Sequence, residues 1–335
     1  MPRTEDASEL YRLGEEASRG RDWPRAAELF GQAAEAEPAN AAYRLAFAQS
    51  LQLAGMDALA PFQRALELSP DSVEAQWGIA AEHIRAGAPL EALKWLHRYV
   101  ETRVKRGDRS PRVPPARRTA LPRTTLVCVD FRHYDLAADA IRRTLAQCSF
   151  ERALFFTDGD VRIEGVEVMR VPPIRSLQDY SRFMVKDLDR HVATDYVLVM
   201  QWDGYVLNGG SWDPGFQDFD YVGAPWEGGG VGNGGFSLRS KRLLRALQDP
   251  AIEDLTPEDL AICRTYRPML ESRYGIRFAP PELAARFSFE TLPPPGATFG
   301  FHGVLHLATM FDMTDAELAA HRPQRLQTVT VPGNR

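Results

Sequence analysis

Three aspartates follow apolar segments in the part of this 335-residue chain that comes after residue 120. Asp130 follows LVCV, Asp158 follows ALFFT, and Asp203 ends the stretch YVLVMQWD. Ligands of parallel sheets bind at the carboxyl ends of the strands, so these side chains are predicted to share one edge. Carboxylate oxygens suit Mg²⁺ or Mn²⁺, which makes Asp203 a candidate ligand of such a cation. The alternative is that Asp203 only starts a turn, since Asp-Gly is a common turn dipeptide.

The stretch GGGVGNGG, residues 228–235, is mostly glycine and therefore carries few side chains. It contains G-x-G-x-x-G as Gly230, Gly232 and Gly235, but it follows a Pro-Trp-Glu loop and leads into FSLRS, which is typical of a strand. A dinucleotide site needs a helix at that point, and no G-K-[ST] follows that would make a phosphate-binding loop. The run therefore predicts a loop whose backbone can approach a ligand closely, or a surface loop without a ligand.

Two cationic residues, Arg182 and Lys186, lie one helical turn apart in DYSRFMVKDL. They could face the phosphates of a ligand, or they could form an exposed helix face with charges at i and i+4. Ser176 and Asp179 of the preceding SLQD are typical of a helix start, with Ser176 as the cap. A helix is therefore predicted over residues 176–190.

These residues lie in a segment, 124–312, in which apolar runs alternate with helical stretches. The alternation predicts an α/β fold with a mostly parallel sheet between helix layers. LVCVDF, ALFFT, VEVMRV and DYVLVMQ are predicted strands, and residues 135–147 are a predicted helix. Before this segment, residues 107–123 are rich in proline and arginine and predict a semi-stiff linker. After it, a TDAE capping box begins a predicted C-terminal helix and tail, residues 313–335.

Residues 1–106 carry apolar positions at steps of three and four, which predicts a stack of amphipathic helices. The pattern resembles the tetratricopeptide repeat, whose period is about 34 residues, with two good copies and a weaker third. The resemblance implies small residues where paired helices touch, and a surface that binds peptides or proteins. A spacer or dimerisation arm without a ligand is the alternative. The first two copies match at Leu10, Leu13, Gly14, Ala26, Phe30, Ala33 and Pro38, and at Ala42, Leu45, Ala46, Ala58, Phe62, Ala65 and Pro70.

The composition disfavours nucleic-acid-binding, disulfide-rich, membrane-spanning and secreted classes of protein. The formal net charge of −5 does not favour nucleic acid as a partner. Three widely spaced cysteines, Cys128, Cys148 and Cys263, imply neither a disulfide framework nor a metal knuckle. Apolar runs stay short of the roughly 18 residues of a membrane span, and the N-terminal MPRTEDASEL is too polar for a secretion signal. A cytoplasmic protein is expected.

Six segments in order, QWDGYVL, FDYVGAPW, VGNGGFSLRS, PEDLAI, FSFE and FGFHG, resemble a bacterial and fungal glycosyltransferase-like family. The resemblance spans roughly residues 124–308 and implies the A-type nucleotide-diphospho-sugar fold. In A-type transferases, a D-x-D motif at a strand end holds a metal and the diphosphate of the donor, and a later histidine can complete the site. Matched here, Asp203 takes the place of the last aspartate and His302 that of the histidine, while Gln201 stands where the first aspartate would be.

The resemblance also implies roles for other residues. Asp203 and His302 would hold Mn²⁺ or Mg²⁺, and His306, four residues beyond His302, is interpreted as structural. Nucleotide-donor contacts are expected from Asp130, Arg182, Lys186, Asp203, Asn233, Gly234 and Gly235, with the last three under the transferred sugar. Trp226 could stack on a sugar face or pack in the core.

An acidic pair in TPEDLAI is the candidate for the base that takes a proton from the acceptor hydroxyl. Asp259 is preferred and Glu258 is second. The same residues also make a good helix start, with Thr256 as the cap and Pro257 at the first helical position. A retaining transferase would need no such base.

The expected function is transfer of a sugar from a nucleotide-diphosphate donor, which in such folds is most often a UDP-sugar, to an acceptor hydroxyl or other nucleophile. The repeats would help to present a protein, peptide or glycan acceptor, or would dock the enzyme on a protein partner. Two alternatives remain. One is a non-catalytic repeat scaffold that carries a degenerate transferase fold, favoured by Gln201. The other is a metal-dependent hydrolase of nucleotide-sugars.

Overall fold

A computed structural model describes residues 6–107, 118–293 and 295–310. The chain divides into two compact units, whose described parts are residues 6–107, here called the helical unit, and residues 118–310, here called the sheet unit. Most of the predicted linker and the whole predicted C-terminal helix and tail, residues 313–335, lie outside the described residues. Across the described ranges, no helix is both long and apolar enough to cross a bilayer.

The helical unit confirms the predicted stack of paired helices. Each helix contacts the next along the chain, and the weaker third repeat also forms a complete pair. The six helices are α1 (Ala7–Arg19), α2 (Trp23–Ala36), α3 (Ala41–Leu53), α4 (Leu59–Leu68), α5 (Val73–Arg85) and α6 (Pro89–Lys105).

Small residues allow these helices to approach, as the sequence predicts. A β-carbon on Gly14 of α1 would lie 2.7 Å from the ring of Phe30 on α2, and one on Gly78 of α5 would lie 2.4 Å from the ring of Phe62 on α4. Neither distance is possible between packed carbon atoms. A glycine therefore fits each contact, and Phe30 and Phe62 are almost fully buried against it.

The sheet unit contains a six-stranded sheet in the order β3-β2-β1-β4-β6-β5. The first four of these strands are parallel, while β6 runs antiparallel to both β4 and β5. This arrangement confirms the predicted mostly parallel sheet. The strands are β1 (Thr119–Val129), β2 (Cys148–Phe156), β3 (Glu167–Met169), β4 (Tyr196–Met200), β5 (Tyr221–Val222) and β6 (Phe236–Ser240).

Strand β1 begins inside the segment that the sequence predicts as a linker, residues 107–123. Thr119, Ala120 and Leu121 pair with Cys148, Ser149 and Phe150 of β2. Leu121 is almost fully buried, so this end of the proline-rich stretch belongs to the fold. The linker prediction is wrong for residues 119–123, because backbone pairing with β2 outweighs the local composition.

Helices and a second small sheet complete this unit. Ser176 caps α8 in a capping box with Asp179, as the sequence predicts. A helix begins in TPEDLAI as predicted, but one residue later, at Glu258. The predicted cap is wrong, because Pro257 rather than Thr256 precedes the first helical residue and no side chain caps the helix. The elements are α7 (Tyr134–Gln147), α8 (Leu177–Arg182), α9 (Lys241–Ala246), α10 (Glu258–Leu260), α11 (Arg267–Tyr274), α12 (Pro281–Phe287), β7 (Ser288–Phe289), β8 (Gly300–Phe301) and α13 (Val304–Met310), with π-helical turns at Phe183–Asp187 and Ala261–Thr265.

The three central parallel strands are buried on both faces. Val127, Val129, Leu154, Val197 and Val199 form a core with Phe183, Met184 and Leu188, which follow α8. Alternate residues of the same strands are also buried, and α7 contacts β1 and β2. Burial of both faces explains why these strands are continuous apolar runs in the sequence.

Candidate functional site

Strands β1 and β4 form a switch point in the sheet. They are adjacent and parallel, and the chain continues from β1 to β2 on the side away from β4. Ligands of open α/β sheets bind in the crevice at the carboxyl ends of such a strand pair. Asp130 directly follows β1, and Asp203 lies three residues beyond β4. The structure therefore brings these two predicted residues to one edge.

Asp130 is buried and held by the backbone. Its Oδ1 accepts hydrogen bonds from the amides of Arg132 and His133, at 2.7 and 2.5 Å. Burial raises the pKa of the Asp130 carboxyl, the two amides and His133 lower it, and the negative charge of Asp203 raises it further. Two neighbouring carboxylates in a buried crevice favour a cationic or proton-donating group between them.

The imidazole of His302 lies beside Asp203. Its Nε2 is 3.1 Å from Asp203 Oδ1 and 3.1 Å from Gln201 Oε1, and its Nδ1 is 3.0 Å from Glu290 Oε1. A backbone hydrogen bond holds the His302 segment beside Asp203, because the Gly303 amide donates to the Asp203 carbonyl. Asp130, Gln201, Asp203, Glu290 and His302 are called the strand-end cluster below.

The charges of this cluster favour a positive group at its centre. Burial lowers the pKa of His302, but Asp203 and Glu290 outweigh that effect and raise it well above the ordinary value. An imidazolium with both nitrogens donating to carboxylates accounts for the observed contacts. The cluster therefore concentrates acceptor atoms around the Nε2 of His302.

The same atoms could hold a divalent cation in place of the Nε2 proton. A metal-bound histidine usually donates its other ring N–H to a carboxylate or a carbonyl. Here Nδ1 would donate to Glu290, and Nε2 is left facing the oxygens of Asp203 and Gln201. Ligands about 2.1 Å from an octahedral ion lie about 3.0 Å apart along an edge, close to the two 3.1 Å distances from Nε2. The ligand set would be one carboxylate, one amide and one imidazole. Among the described residues, no group of three His, Cys, Asp or Glu side chains could hold a metal.

Glycines 234 and 235 are packed against site side chains. A β-carbon on Gly235 would lie 2.1 Å from His302 Nε2, and one on Gly234 would lie 1.8 Å from Glu258 Oε1. Side chains at these positions would displace His302 or Glu258. The segment that carries the two glycines therefore lies between the strand-end cluster and the acidic pair of α10.

Asn233 begins this segment with a left-handed backbone, at a φ of 62°. The residue is only 3% exposed, and its amide Nδ2 has no hydrogen-bond partner within the described residues. Leaving a buried donor unpaired costs about 1–3 kcal/mol. A ligand oxygen at this position would remove that cost.

Glu258 is committed to a buried ion pair. Its Oε1 accepts from Nη2 of Arg239 on β6 at 3.0 Å, and Arg239 is fully buried. The same guanidinium donates to the Gly234 carbonyl at 3.3 Å and to the Ser237 hydroxyl at 3.0 Å. Burial raises the pKa of Glu258, although Arg239 lowers it. Glu258 thus positions the glycine segment, while the half-buried Asp259 is the more accessible carboxylate.

Lys186 and Arg182, which are predicted to contact the nucleotide donor, are not brought to the strand-end cluster. The ammonium of Lys186 donates to the backbone carbonyls of Leu247 and Asp249, at 2.7 and 3.0 Å, just beyond the end of α9. Carbonyls at such helix ends lack partners within the helix and bind cations well. Arg182 is exposed at the end of α8. The predicted phosphate contact of Lys186 is wrong, because the ammonium is bound to these two backbone carbonyls.

The remaining predicted residues have structural contacts. Asp158 accepts a hydrogen bond from the Tyr134 hydroxyl at 2.8 Å. The guanidinium of Arg264 lies 4.4 Å from the ring centre of Trp226, so that one face of the indole is covered. His306 is buried and its Nε2 lies 2.6 Å from the Glu290 carbonyl oxygen.

Sequence reasoning missed the roles of Glu290 and Arg239. Glu290 follows β7 directly, and the segment FSFE already belongs to the ordered motif set, so its position at a strand end was the available signal. Arg239 offered a weaker signal, a single charge inside the strand FSLRS. A charge inside a strand buried at every position needs a buried partner.

Comparisons with known proteins cover parts of the chain. A family model described as "Protein of unknown function (DUF5672)" matches residues 165–302, which include Asp203, Glu258, Glu290 and His302. No curated protein matches.

Among solved structures, one described as "Crystal structure of MamA" is 18% identical, covers 32% of this chain and 63% of its own, and has a TM-score of 0.30. The structure of YrrB, described as "a TPR protein with an unusual peptide-binding site", is 20% identical, covers 30% of this chain and 53% of its own, and has a TM-score of 0.29. This chain therefore spans less than two thirds of the length of either.

Proposed function

We propose that the sheet unit transfers a sugar from a nucleotide-diphosphate donor, in the simplest case a UDP-sugar, to an acceptor hydroxyl. One observation carries the proposal. The segment Asn233–Gly235 lies between the strand-end cluster and the acidic pair Glu258 and Asp259, so that a ligand along this segment would meet both. The position at the β1 and β4 switch point supports a nucleotide as the ligand.

The strand-end cluster is proposed to bind the diphosphate of the donor. A divalent cation held by Asp203, His302 and the Gln201 amide would neutralise the charge that develops on the leaving diphosphate. Glu290 keeps His302 Nε2 facing Asp203 by accepting from Nδ1. Asp130 adds a second carboxylate to the same crevice.

The far side of the glycine segment is proposed to receive the acceptor. Asp259 would take the proton of the acceptor hydroxyl as the hydroxyl oxygen bonds to the sugar. Arg239 holds Glu258 and the Gly234 carbonyl, so that the backbone under the sugar stays fixed. Asn233 Nδ2, which has no partner within the described residues, would donate to a sugar hydroxyl or a phosphate oxygen.

The test is binding and turnover of a panel of nucleotide-sugars in the presence of Mn²⁺, measured by calorimetry and by release of the nucleoside diphosphate. Asp203→Ala is expected to lower donor affinity and turnover by at least about 100-fold, since it removes the carboxylate ligand of the cation. Asp160→Ala is the matched control, because Asp160 is exposed on the loop after β2. The site assignment fails if no donor binds or if both variants behave alike.

A non-catalytic scaffold is the second candidate, and Gln201 is the observation in its favour. An amide there binds His302 without adding the negative charge of a second aspartate. This candidate predicts that donors bind without any release of nucleoside diphosphate, with or without acceptors. Release without transfer to any acceptor would instead indicate a nucleotide-sugar hydrolase.

A further inference from the structure

A cavity of about 840 Å³ lies at the other end of the sheet from the strand-end cluster. Tyr196, the first residue of β4, and Ser240, the last residue of β6, pair with each other and both line it. The five residues of β4 place the cavity about 16 Å along the strand from the cluster. It is therefore a separate site from the strand-end cluster.

Cationic side chains from three parts of the fold line this cavity. Arg123 comes from β1, a group of three from α9, and Arg277 from the segment after α11. The carboxylates among the lining residues are Asp195, Asp218 and Asp220. The group on α9 consists of Lys241, Arg242 and Arg245.

The buried carboxylate is already fully used. Asp220 accepts from the Ser240 hydroxyl at 2.6 Å, from the Arg277 amide at 2.8 Å and from the guanidinium of Arg242. Burial raises the pKa of Asp220, but Arg242 and Ser240 outweigh that effect and hold it below the ordinary value. The negative charge of Asp220 is therefore matched by Arg242.

Two further cations are also matched. Arg123 pairs with Asp195 at 3.0 Å, and Lys241 pairs with Asp189 at 2.6 Å. Arg245 and Arg277 remain, and within residues 118–293 neither has a carboxylate partner. Arg277 lies over the ring of Phe219, 5.0 Å from its centre, which fixes the plane of its guanidinium.

We propose that this cavity binds an organic phosphate, with Arg245 and Arg277 as the principal contacts. Planar guanidinium groups bind phosphate oxygens in pairs, and a stacked arginine is already oriented for such contacts. The volume is within the range of pockets for small organic molecules and is much larger than a single phosphate needs. The rings of Phe219 and Tyr274 supply apolar surface for the organic part.

The test uses the full-length protein and inorganic pyrophosphate as the probe, in EDTA so that a cation at Asp203 does not contribute. Saturable binding is measured by calorimetry at low ionic strength. The double variant Arg245→Glu/Arg277→Glu is expected to weaken it by at least about 100-fold, because two attractive contacts become repulsive. The control is Arg142→Glu/Arg162→Glu, which makes the same change in net charge at two exposed arginines outside the cavity.

Three results would overturn the proposal. These are no saturable binding to the unaltered protein, an equal loss in the control, and a loss caused by Asp203→Ala but not by the cavity variant. Thermal unfolding of each variant accompanies the titrations. If the double variant unfolds, Arg277→Gln alone is used, and unchanged pyrophosphate affinity in that folded variant would also contradict the site.

Discussion

Glu290 determines which nitrogen of His302 faces Asp203. Since Nδ1 is 3.0 Å from the Glu290 carboxylate, Nε2 is left for Asp203 and Gln201. Carboxylates in this position orient a histidine and increase its basicity. A single residue that touches neither donor nor acceptor would thus control both the orientation and the charge of the histidine.

We predict that Glu290→Gln lowers the pKa of His302, since the neutral amide no longer stabilises the imidazolium. In metal-free protein, an NMR titration of the imidazole protons measures this change. Mn²⁺ affinity is expected to fall about 10- to 100-fold. The control is Glu282→Gln, an exposed glutamate on α12. An unchanged titration of His302 in Glu290→Gln would refute the assigned role.

At the scale of elements, the pair of Arg239 and Glu258 joins β6 to α10. Both side chains are almost completely buried, and their contact positions the glycine segment between them and the strand-end cluster. Removing one partner of a buried pair costs more than removing both, because an unpaired charge is left in the interior.

Arg239→Leu is therefore predicted to lower the free energy of unfolding by about 3–5 kcal/mol, measured with urea. Arg239→Leu/Glu258→Leu should recover part of that loss, and the two single variants complete a double-mutant cycle. Arg286→Leu serves as the comparison, since its pair with Asp213 is partly exposed, and it should cost less than about 1 kcal/mol. Additive effects of Arg239 and Glu258 would show that the pair is not coupled.

At the scale of the whole molecule, the helical unit is proposed to present the acceptor. Deletion of residues 1–106 is then predicted to abolish transfer to the acceptor while slow hydrolysis of the donor is retained. Both rates are followed in one assay, by free nucleoside diphosphate and by glycosylated acceptor. Unchanged transfer would assign the helical unit a role as a spacer.

Much of the architecture follows from the sequence, because local patterns carry it. Continuous apolar runs predicted the buried strands, and the Ser176 capping box predicted the start of α8. The position of Asp203 at the end of a strand follows from the same pattern. These features depend on residues that are close in the chain.

Contacts between distant segments could not be predicted in this way. Glu290 acquires its role only when β7 and β8 pair, and Arg239 only when Glu258 of α10 lies beside it. The four-residue spacing of Arg182 and Lys186 is the same whether Lys186 faces a ligand or the carbonyls beyond α9, so the spacing could not predict this contact. The need for glycine at 234 and 235 likewise comes from side chains far along the sequence.

The two outermost strands of the main sheet are also its two shortest strands: β3 has three residues and β5 has two. Unpaired backbone groups at a sheet edge invite pairing with another chain, and short edge strands limit that risk. The long strand β1 lies in the interior between β2 and β4. The order of the strands therefore leaves only short edge strands on this sheet, which limits edge-to-edge pairing with another chain.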